Sequence, residues 1–275
     1  MIFAYNLLIW MKGVLIMSSF EAIILGIIQG LTEFLPISST GHLYLGRHLF
    51  GLDEAGLLLD TLMHIGTLLA VFVFYSKEWK SLIKKPFSKL TLLLFVGTLP
   101  AVIVGLLFKD FFDEISVSGK TIGWEFIFTG IVLFIADKRK KGKKTMEELT
   151  WVDALFIGSF QALAIFPAVS RSGLTIAAAL FKGMERKSAA YFSFLLSTPA
   201  ILGGIVFQGK DLLGGKAEHI AFFPLFLGTL AAALFGYLAI SWMINLLKKQ
   251  SLNIFGYYVI FLGVSIVVLQ YLKIF

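Results

Sequence analysis

Glu33, Ser39, His42 and Arg171 stand out in this chain because each lies inside a long apolar run. A carboxylate and an imidazole can exchange protons, a hydroxyl can attack or position water, and a guanidinium matches the paired oxygens of a carboxylate or phosphate. The first three share the segment Gly26-Ile-Ile-Gln29-Gly-Leu31-Thr-Glu33-Phe34-Leu-Pro36-Ile-Ser38-Ser39-Thr40-Gly41-His42. The fourth lies in Gly158-Ser-Phe-Gln161-Ala-Leu163-Ala-Ile-Phe166-Pro167-Ala-Val-Ser170-Arg171-Ser172-Gly173-Leu174-Thr175. Laid over each other without a gap, the segments match at Gly26/Gly158, Gln29/Gln161, Leu31/Leu163, Phe34/Phe166, Ser38/Ser170 and Gly41/Gly173. In a membrane protein, a repeated pair of Gly/Pro-interrupted apolar segments points to a site at the interface of two halves, near the bilayer midplane. The copies are chemically unequal, so a reaction centre would need both.

Composition sets the solvent. The chain is 58% hydrophobic and 15% charged, against about 45–50% and about 25% in a soluble domain. Its mean hydropathy is +0.87. A helix crossing the bilayer needs about 20 apolar residues, and six runs qualify: 56–76, 89–108, 121–137, 188–208, 219–245 and 253–273. The net charge of +7 is carried by loops between these runs, where it sets topology and does not indicate nucleic-acid binding. Without cysteine there are no disulfides and no thiolate metal sites. Residues 1–17 form an apolar extension with no small-residue cleavage pattern behind it, read as an uncleaved helix or an over-long start.

The two motif segments, about 20–50 and 152–183, carry Pro and Gly in their middles and read as helix–break–helix re-entrant hairpins. Broken backbone at membrane depth is tolerated only where it is buried in protein or lines a cavity. Lysines 77, 80, 84, 85 and 89, the basic run 138–144, and Lys248 with Lys249 fall in the cytoplasm by the positive-inside rule. Loops 109–120 and 209–218 then fall outside. The first hairpin enters from outside and the second from the cytoplasm, each followed by three spans. The expected architecture is an all-α polytopic membrane protein, a single domain with two inverted-topology repeats, about 20–137 and 152–273.

Local chemistry follows from these positions. Gln29 and Glu33 share a helix face, and Pro36 ends that helix, leaving Glu33 at a half-helix end inside the membrane. An ionisable group there costs about 2.5–3.5 kcal/mol on insertion scales, so it commonly has a functional partner; the alternative is a shallow Glu reaching the headgroups. Ser38, Ser39, Thr40 and Gly41 form a capped helix start, as do Ser170, Arg171, Ser172 and Gly173 with Thr175 a turn later. Free N–H groups at such starts favour phosphate, although the same pattern is also an ordinary cap. Arg171 has no acid near it in sequence and needs an oxyanion, either a ligand's or Glu33. His42 could be a general acid, a base or a helix-surface residue. His48 and His64 lack a surrounding polar cluster. Asp60 is a supporting carboxylate or a rim residue.

Gln29–His42 resembles the first signature of the undecaprenyl-pyrophosphate phosphatase (UppP/BacA) family, and Pro167–Thr175 resembles its second. Asp60 with His64-Ile-Gly66-Thr67, Gly97-Thr98-Leu-Pro100-Ala101 and Phe192-Ser193-Phe194-Leu195-Leu196 also look like family segments in the right order. The resemblance implies a bacterial cell-membrane enzyme that hydrolyses undecaprenyl diphosphate to undecaprenyl phosphate and phosphate. That reaction recycles the lipid carrier for peptidoglycan and confers bacitracin resistance. Carried over by position, the acidic motif falls on Gln29 and Glu33, the serine and histidine on Ser39 and His42, and the arginine on Arg171. The chain departs from the pattern at Gln29, where some members have Glu, at Ala168 for Gly, and at Val259, where some have Arg.

Under that resemblance, Arg171 and the N–H groups around Ser170–Thr175 bind the diphosphate, with Ser38, Thr40 and Gly41 assisting. A Mg²⁺ or Ca²⁺ ion held by Glu33 and the Gln29 carbonyl bridges phosphate oxygens. Ser39 attacks or positions water, and His42 transfers a proton. The expected partners are the lipid substrate and the membrane, with a homodimer open and no nucleic acid, and the site faces outside. A polyprenyl-phosphate flippase is the rival reading, since inverted repeats are transporter architecture. An acid-phosphatase-like lipid phosphatase is rejected, because Ala177 stands where its nucleophilic His would be. An inactive lipid-binding paralogue fits poorly with Glu33, Ser39, His42 and Arg171 all present.

Overall fold

Pro36 and Pro167 interrupt two helices that would otherwise run on through the core. In the computed structural model, which describes residues 14–15, 17–52, 56–139, 142–211, 214, 219–249 and 251–274, each proline lies in a short break between two half-helices. The first pair is α1 (Ser19–Phe34) and α2 (Ser39–Phe50). The second, reached after the helices named below, is α8 (Trp151–Leu163) and α9 (Arg171–Phe181). Each half-helix is started by a side chain. Ser18 and Glu21 form a capping box on α1, and Thr150 and Asp153 form one on α8. Ser38 Oγ accepts the Gly41 N–H at 3.3 Å, and Ser170 Oγ accepts the Gly173 N–H at 3.0 Å.

Both broken pairs return to the side they start from. Met17, just before α1, and Leu52, just after α2, belong to one buried cluster. Around the second pair, the Lys144 N–H donates to the Gly183 carbonyl and the Glu185 N–H to the Lys144 carbonyl, each at 3.0 Å. Each segment is therefore a helix–break–helix hairpin, with its break where the prolines and glycines predict.

Between and after them run α3 (Leu57–Phe74), α4 (Ser76–Lys84), α5 (Lys89–Leu107), α6 (Lys109–Ser118), α7 (Ile122–Asp137), α10 (Arg186–Asp211), α11 (Phe222–Lys249) and α12 (Asn253–Tyr271). Five of these, α3, α5, α10, α11 and α12, are long and apolar enough to cross a membrane; α7, bent 107° from α6, makes a sixth candidate. The chain is an all-helical multi-pass membrane protein. A helix stands at each of the six runs read from hydropathy, and five of the six are long enough by themselves to cross. Two segments expected as plain loops instead hold short helices, α4 and α6. In α4, Leu82 is buried while Lys80 and Lys84 are exposed, which is how an amphipathic helix lies at a boundary. The apolar extension 1–17 lies mostly outside the described residues. The backbone of Val14–Leu15 pairs in parallel with His219–Ile220, a two-residue strand pair where a helix was one of the two readings. Most of loop 209–218 also lies outside the described residues.

Helix α1 packs along α11, and α8 packs along α5; α7 lies along α12, and α3 and α10 complete the bundle. In lipid there is little hydrophobic drive between helices, so small residues that admit close backbones decide such contacts. Gly26 of α1 faces the backbone of Gly228 on α11, and Gly158 of α8 faces that of Gly97 on α5. Between α7 and α12, Gly123 faces Gly263 and Gly130 faces Gly256. A Cβ at Gly26 or Gly158 would strike the opposing carbonyl.

Replacing Gly158 by Val should therefore force α8 off α5 and destabilise the fold by at least about 1–3 kcal/mol, the usual cost of overpacking. Gly203→Ala meets nothing within 4 Å and should leave stability unchanged or raise it by up to about 1 kcal/mol through helix propensity. Thermal unfolding in detergent, followed by circular dichroism, compares the two.

Candidate active site

The two breaks cross face to face in the centre of the bundle. Ser38 Oγ donates to the Pro167 carbonyl at 3.2 Å, and Ser172 Oγ donates to the Leu35 carbonyl at 2.8 Å. Ser38 holds φ at +69°, a conformation that L-residues with a side chain rarely adopt. It is kept there by these contacts and by its own carbonyl, which lies 2.6 Å from His42 Nδ1. Such over-determined strain gathers at functional sites.

The crossing brings Glu33 and Arg171 together. Arg171 Nη2 donates to Glu33 Oε1. Glu33 Oε2 accepts from Ser39 Oγ at 2.5 Å and from Gln29 Nε2 at 3.0 Å. His64 Nε2 of α3 stands 3.7 Å from the same oxygen. The Glu33 side chain is 3% exposed and that of Arg171 15%, so the pair is nearly dry. Arg171 Nη1 has no hydrogen-bond partner among the described residues, and neither has Gln29 Oε1.

Glu33, Ser39, His64 and Arg171 line a cavity of about 800 Å³. Its polar end is made by Glu33, Ser38, Ser39, Thr40, Gly41, His64, Ser170, Arg171 and Ser172. Its apolar wall is made by Ala101, Val102 and Gly105 of α5 and by Pro199–Ile201, Gly203–Ile205 and Phe207 of α10. Lys109, Asp113 and Ser116 of α6, Gly56 before α3, and Gln208 reach its rim. All of these lie at the helix ends opposite the basic loops.

The sequence-selected residues thus separate. Glu33, Ser39, Arg171, Ser38, Thr40, Gly41, Ser170 and Ser172 are on the wall. Gln29, His42, Gly173 and Thr175 are not among the described residues that line it. Thr175 Oγ1 donates to the Arg171 carbonyl at 2.8 Å and lies 2.6 Å from Ser193 Oγ, so it ties α9 to α10. His42 is turned toward α12: its Nε2 lies 2.8 Å from the Tyr258 hydroxyl, and its ring stacks on Tyr258 and meets the edge of Phe126.

A profile of the bacitracin resistance protein BacA family matches residues 22–265. The chain belongs to that family. It is 66% identical over 259 residues to undecaprenyl-diphosphatase 4 of Bacillus thuringiensis (strain Al Hakam), covering 94% of this chain and 100% of the relative. It is 50% identical to the undecaprenyl-diphosphatase of Carboxydothermus hydrogenoformans and 41% identical to that of Halothermothrix orenii, with 92% of this chain and 98% of each relative covered. The family match spans both breaks and every wall residue named above.

Four groups around the breaks had no assigned role in the sequence beyond the reading of Asp60 as a supporting carboxylate or a rim residue. His64 was set aside for want of polar neighbours, because those neighbours arrive from α1 and not from its own helix. Arg47 and Asp60 pair across α2 and α3 at 2.9 Å beside it. Gln161, the partner of Gln29 in the internal match, lines the cavity and leaves its Oε1 without a partner among the described residues; the match itself was the available signal. Glu125 of α7 is the fourth group. Its Oε2 accepts the Ala168 N–H and its Oε1 accepts from Thr121 Oγ1, while Thr129, one turn on, accepts the Ser170 N–H at 3.1 Å. A single face of α7 therefore holds the break that presents Arg171.

Glu125→Ala should leave a buried backbone N–H at Ala168 unpaired, costing about 1–3 kcal/mol. Amide exchange across 164–170 should accelerate more than in α12, with Glu125→Gln intermediate because it keeps one acceptor. Hydrogen–deuterium exchange by mass spectrometry reads both.

Proposed function

We propose that this protein is an undecaprenyl-diphosphate phosphatase, releasing inorganic phosphate and leaving undecaprenyl phosphate for reuse as a carrier in bacterial envelope synthesis. The observation that carries the reading is Arg171 Nη1, a guanidinium donor without a partner among the described residues, in a cavity with an apolar wall along α5 and α10. That combination suits an anionic head and a hydrocarbon tail. A flippase would need the same binding groups, but the Ser39 hydroxyl on the Glu33 carboxylate at 2.5 Å is better suited to chemistry than to passage. The relatives' names and the family's association with bacitracin resistance support the same choice.

Phosphoryl transfer asks for positioning and for charge stabilisation around the transferred group. Arg171 neutralises the phosphate oxygens and, through Glu33 Oε1, is held in one orientation before substrate arrives. The first-turn N–H groups of α2 and α9 add donors at the positive ends of two half-helices. Ser39 is aimed by Glu33 Oε2, which orients its proton and leaves the oxygen lone pairs for the cavity; Ser39 or a water it holds attacks phosphorus. His42, fixed against Tyr258 and the Ser38 carbonyl, acts on the geometry of this break.

A divalent ion, Mg²⁺ or Ca²⁺, belongs to the proposal. Its fit rests on the remaining lone-pair capacity of the Glu33 carboxylate and on Gln29 Oε1, a buried acceptor without a partner among the described residues. No group of three or more His, Cys, Asp or Glu able to hold a metal occurs among the described residues. The donor set therefore suits an ion carried partly by substrate phosphates, the usual arrangement for Mg²⁺. When bound, it would offset phosphate charge.

The two halves, about 20–137 and 152–273, are proposed as inverted repeats. Support comes from the equivalent packing of α1 on α11 and α8 on α5, each with a glycine of the matched segment at the contact. The protein is assigned to the bacterial cell membrane with the cavity mouth on the outer face, because its rim lies away from the basic loops.

Purified protein should release phosphate from a C55 prenyl diphosphate. Arg171→Ala should lower turnover by about 10²–10³-fold, as loss of one oxyanion donor does, and Arg171→Lys should recover little because it lacks the fork. Near-native turnover in Arg171→Ala would refute the anchor. Sidedness is read by Thr40→Cys in a chain with no native Cys. A membrane-impermeant thiol reagent should label intact spheroplasts, with substrate protecting; labelling only after lysis reverses the orientation.

A further inference from the structure

His64 is placed as a metal ligand would be. Its Nδ1 lies 2.7 Å from the Asp60 carbonyl one turn earlier on α3. A carbonyl can only accept, so a ring proton is assigned to Nδ1, and Nε2 is the nitrogen left to offer a lone pair to an ion. Ligating histidines are usually held this way, with the second nitrogen donating to a backbone carbonyl or carboxylate. The carbonyl belongs to a residue that is itself fixed, since Asp60 Oδ2 accepts from Arg47 Nη1 at 2.9 Å.

The Nε2 atom points into the cavity toward Glu33 Oε2 at 3.7 Å. That is too long for a hydrogen bond. It is a separation that two donors to one ion can span, because metal–nitrogen and metal–oxygen bonds of about 2.0–2.2 Å allow donors up to roughly 4 Å apart. Arg171 sits on the other carboxylate oxygen, Oε1, so guanidinium and ion would not compete for one atom. Gln29 Oε1, buried and without a partner among the described residues, stands one helical turn below Glu33 as a further donor.

We propose that His64 Nε2 is a protein ligand of the divalent cation and shares that ion with Glu33 Oε2. This rests on the reading of the cavity as a metal-assisted diphosphate site. It makes the site a mixed nitrogen and oxygen one. Imidazole raises affinity along the series from Mn²⁺ towards Cu²⁺ and does little for Mg²⁺ or Ca²⁺, which take oxygen ligands. The ion selected should thus be a first-row transition ion when one is available.

The test is spectroscopic and uses the full chain purified in detergent, loaded with Mn²⁺. Pulsed electron paramagnetic resonance should show coupling to a directly bound nitrogen, and this should change on labelling with ¹⁵N-histidine. His64→Gln should abolish the coupling and weaken Mn²⁺ binding by at least the roughly 10–100-fold that loss of an outer-sphere partner costs. Absence of nitrogen coupling in wild-type protein overturns the proposal and leaves His64 as an ion-pair partner of Glu33. So does coupling that persists in His64→Gln, or failure of wild-type protein to bind Mn²⁺. The wild-type spectrum decides the matter even if the variant does not fold. Phosphate release is measured separately on the same preparation. Coupling without phosphate release would refute the phosphatase reading and leave the metal ligand standing.

Discussion

The buried pair of Glu33 and Arg171 is the interaction on which the rest of this structure depends. Neither charge is tolerable alone at membrane depth, and each comes from a different broken hairpin. Removing one partner of such a pair costs about 3–5 kcal/mol, because the other is left buried and uncompensated. The pair is therefore one of the contacts that couple the two halves of the chain, and the charged one. It also spends only part of each group: Arg171 keeps Nη1, and Glu33 keeps Oε2 for Ser39, Gln29 and the approach of His64. A contact that joins the halves therefore also leaves polar atoms facing the cavity.

Everything around the pair serves to bring two irregular backbones close without leaving their polar groups unsatisfied, which lipid does not allow. Ser38 and Ser172 each spend a hydroxyl on a carbonyl of the opposite break. Glu125 and Thr129 collect the N–H groups of Ala168 and Ser170. The half-helices can approach because glycine meets glycine at α1/α11 and α8/α5. A buried carboxylate on α7 would otherwise be an expense with no return. Here it replaces the hydrogen bonds that a continuous helix would have made through Ala168.

The cavity combines two solvents. It is lined by charges and hydroxyls held by the crossing and by small apolar residues following Pro100 and Pro199, where α5 and α10 carry prolines inside the helix. An amphiphile with a charged head would find each part in its own environment. The unequal chemistry of the two breaks then matters: the first brings the carboxylate and hydroxyl, the second the guanidinium, so neither half-site is complete alone.

How much of this was legible in the sequence depends on range. Hydropathy located the helices, five of them long enough to cross, because a crossing helix must be apolar over its own length whatever it packs against. Pro36 and Pro167 marked the breaks for an equally local reason, the missing N–H and the restricted residue before it. The internal match paired Ser38 with Ser170, and both are caps with the same bond. Contacts between distant segments were a different matter. That Glu33 would meet Arg171 was one of two readings, and the intramembrane arginine's need for an oxyanion did not choose between protein and ligand. His64 looked isolated because its neighbours come from α1, and Glu125 carried no signal because its partners lie on a break more than 40 residues away. His42 shares a motif with Ser39 but faces α12, because Tyr258 stacks on its ring and takes its Nε2 while Phe126 meets its face from α7. The sequence by itself determined the spans, the breaks and the caps, all governed by a residue's own backbone and nearest neighbours. Only the tertiary structure decided which polar groups share an oxygen and which face the cavity, because that follows from how the helices are packed against one another.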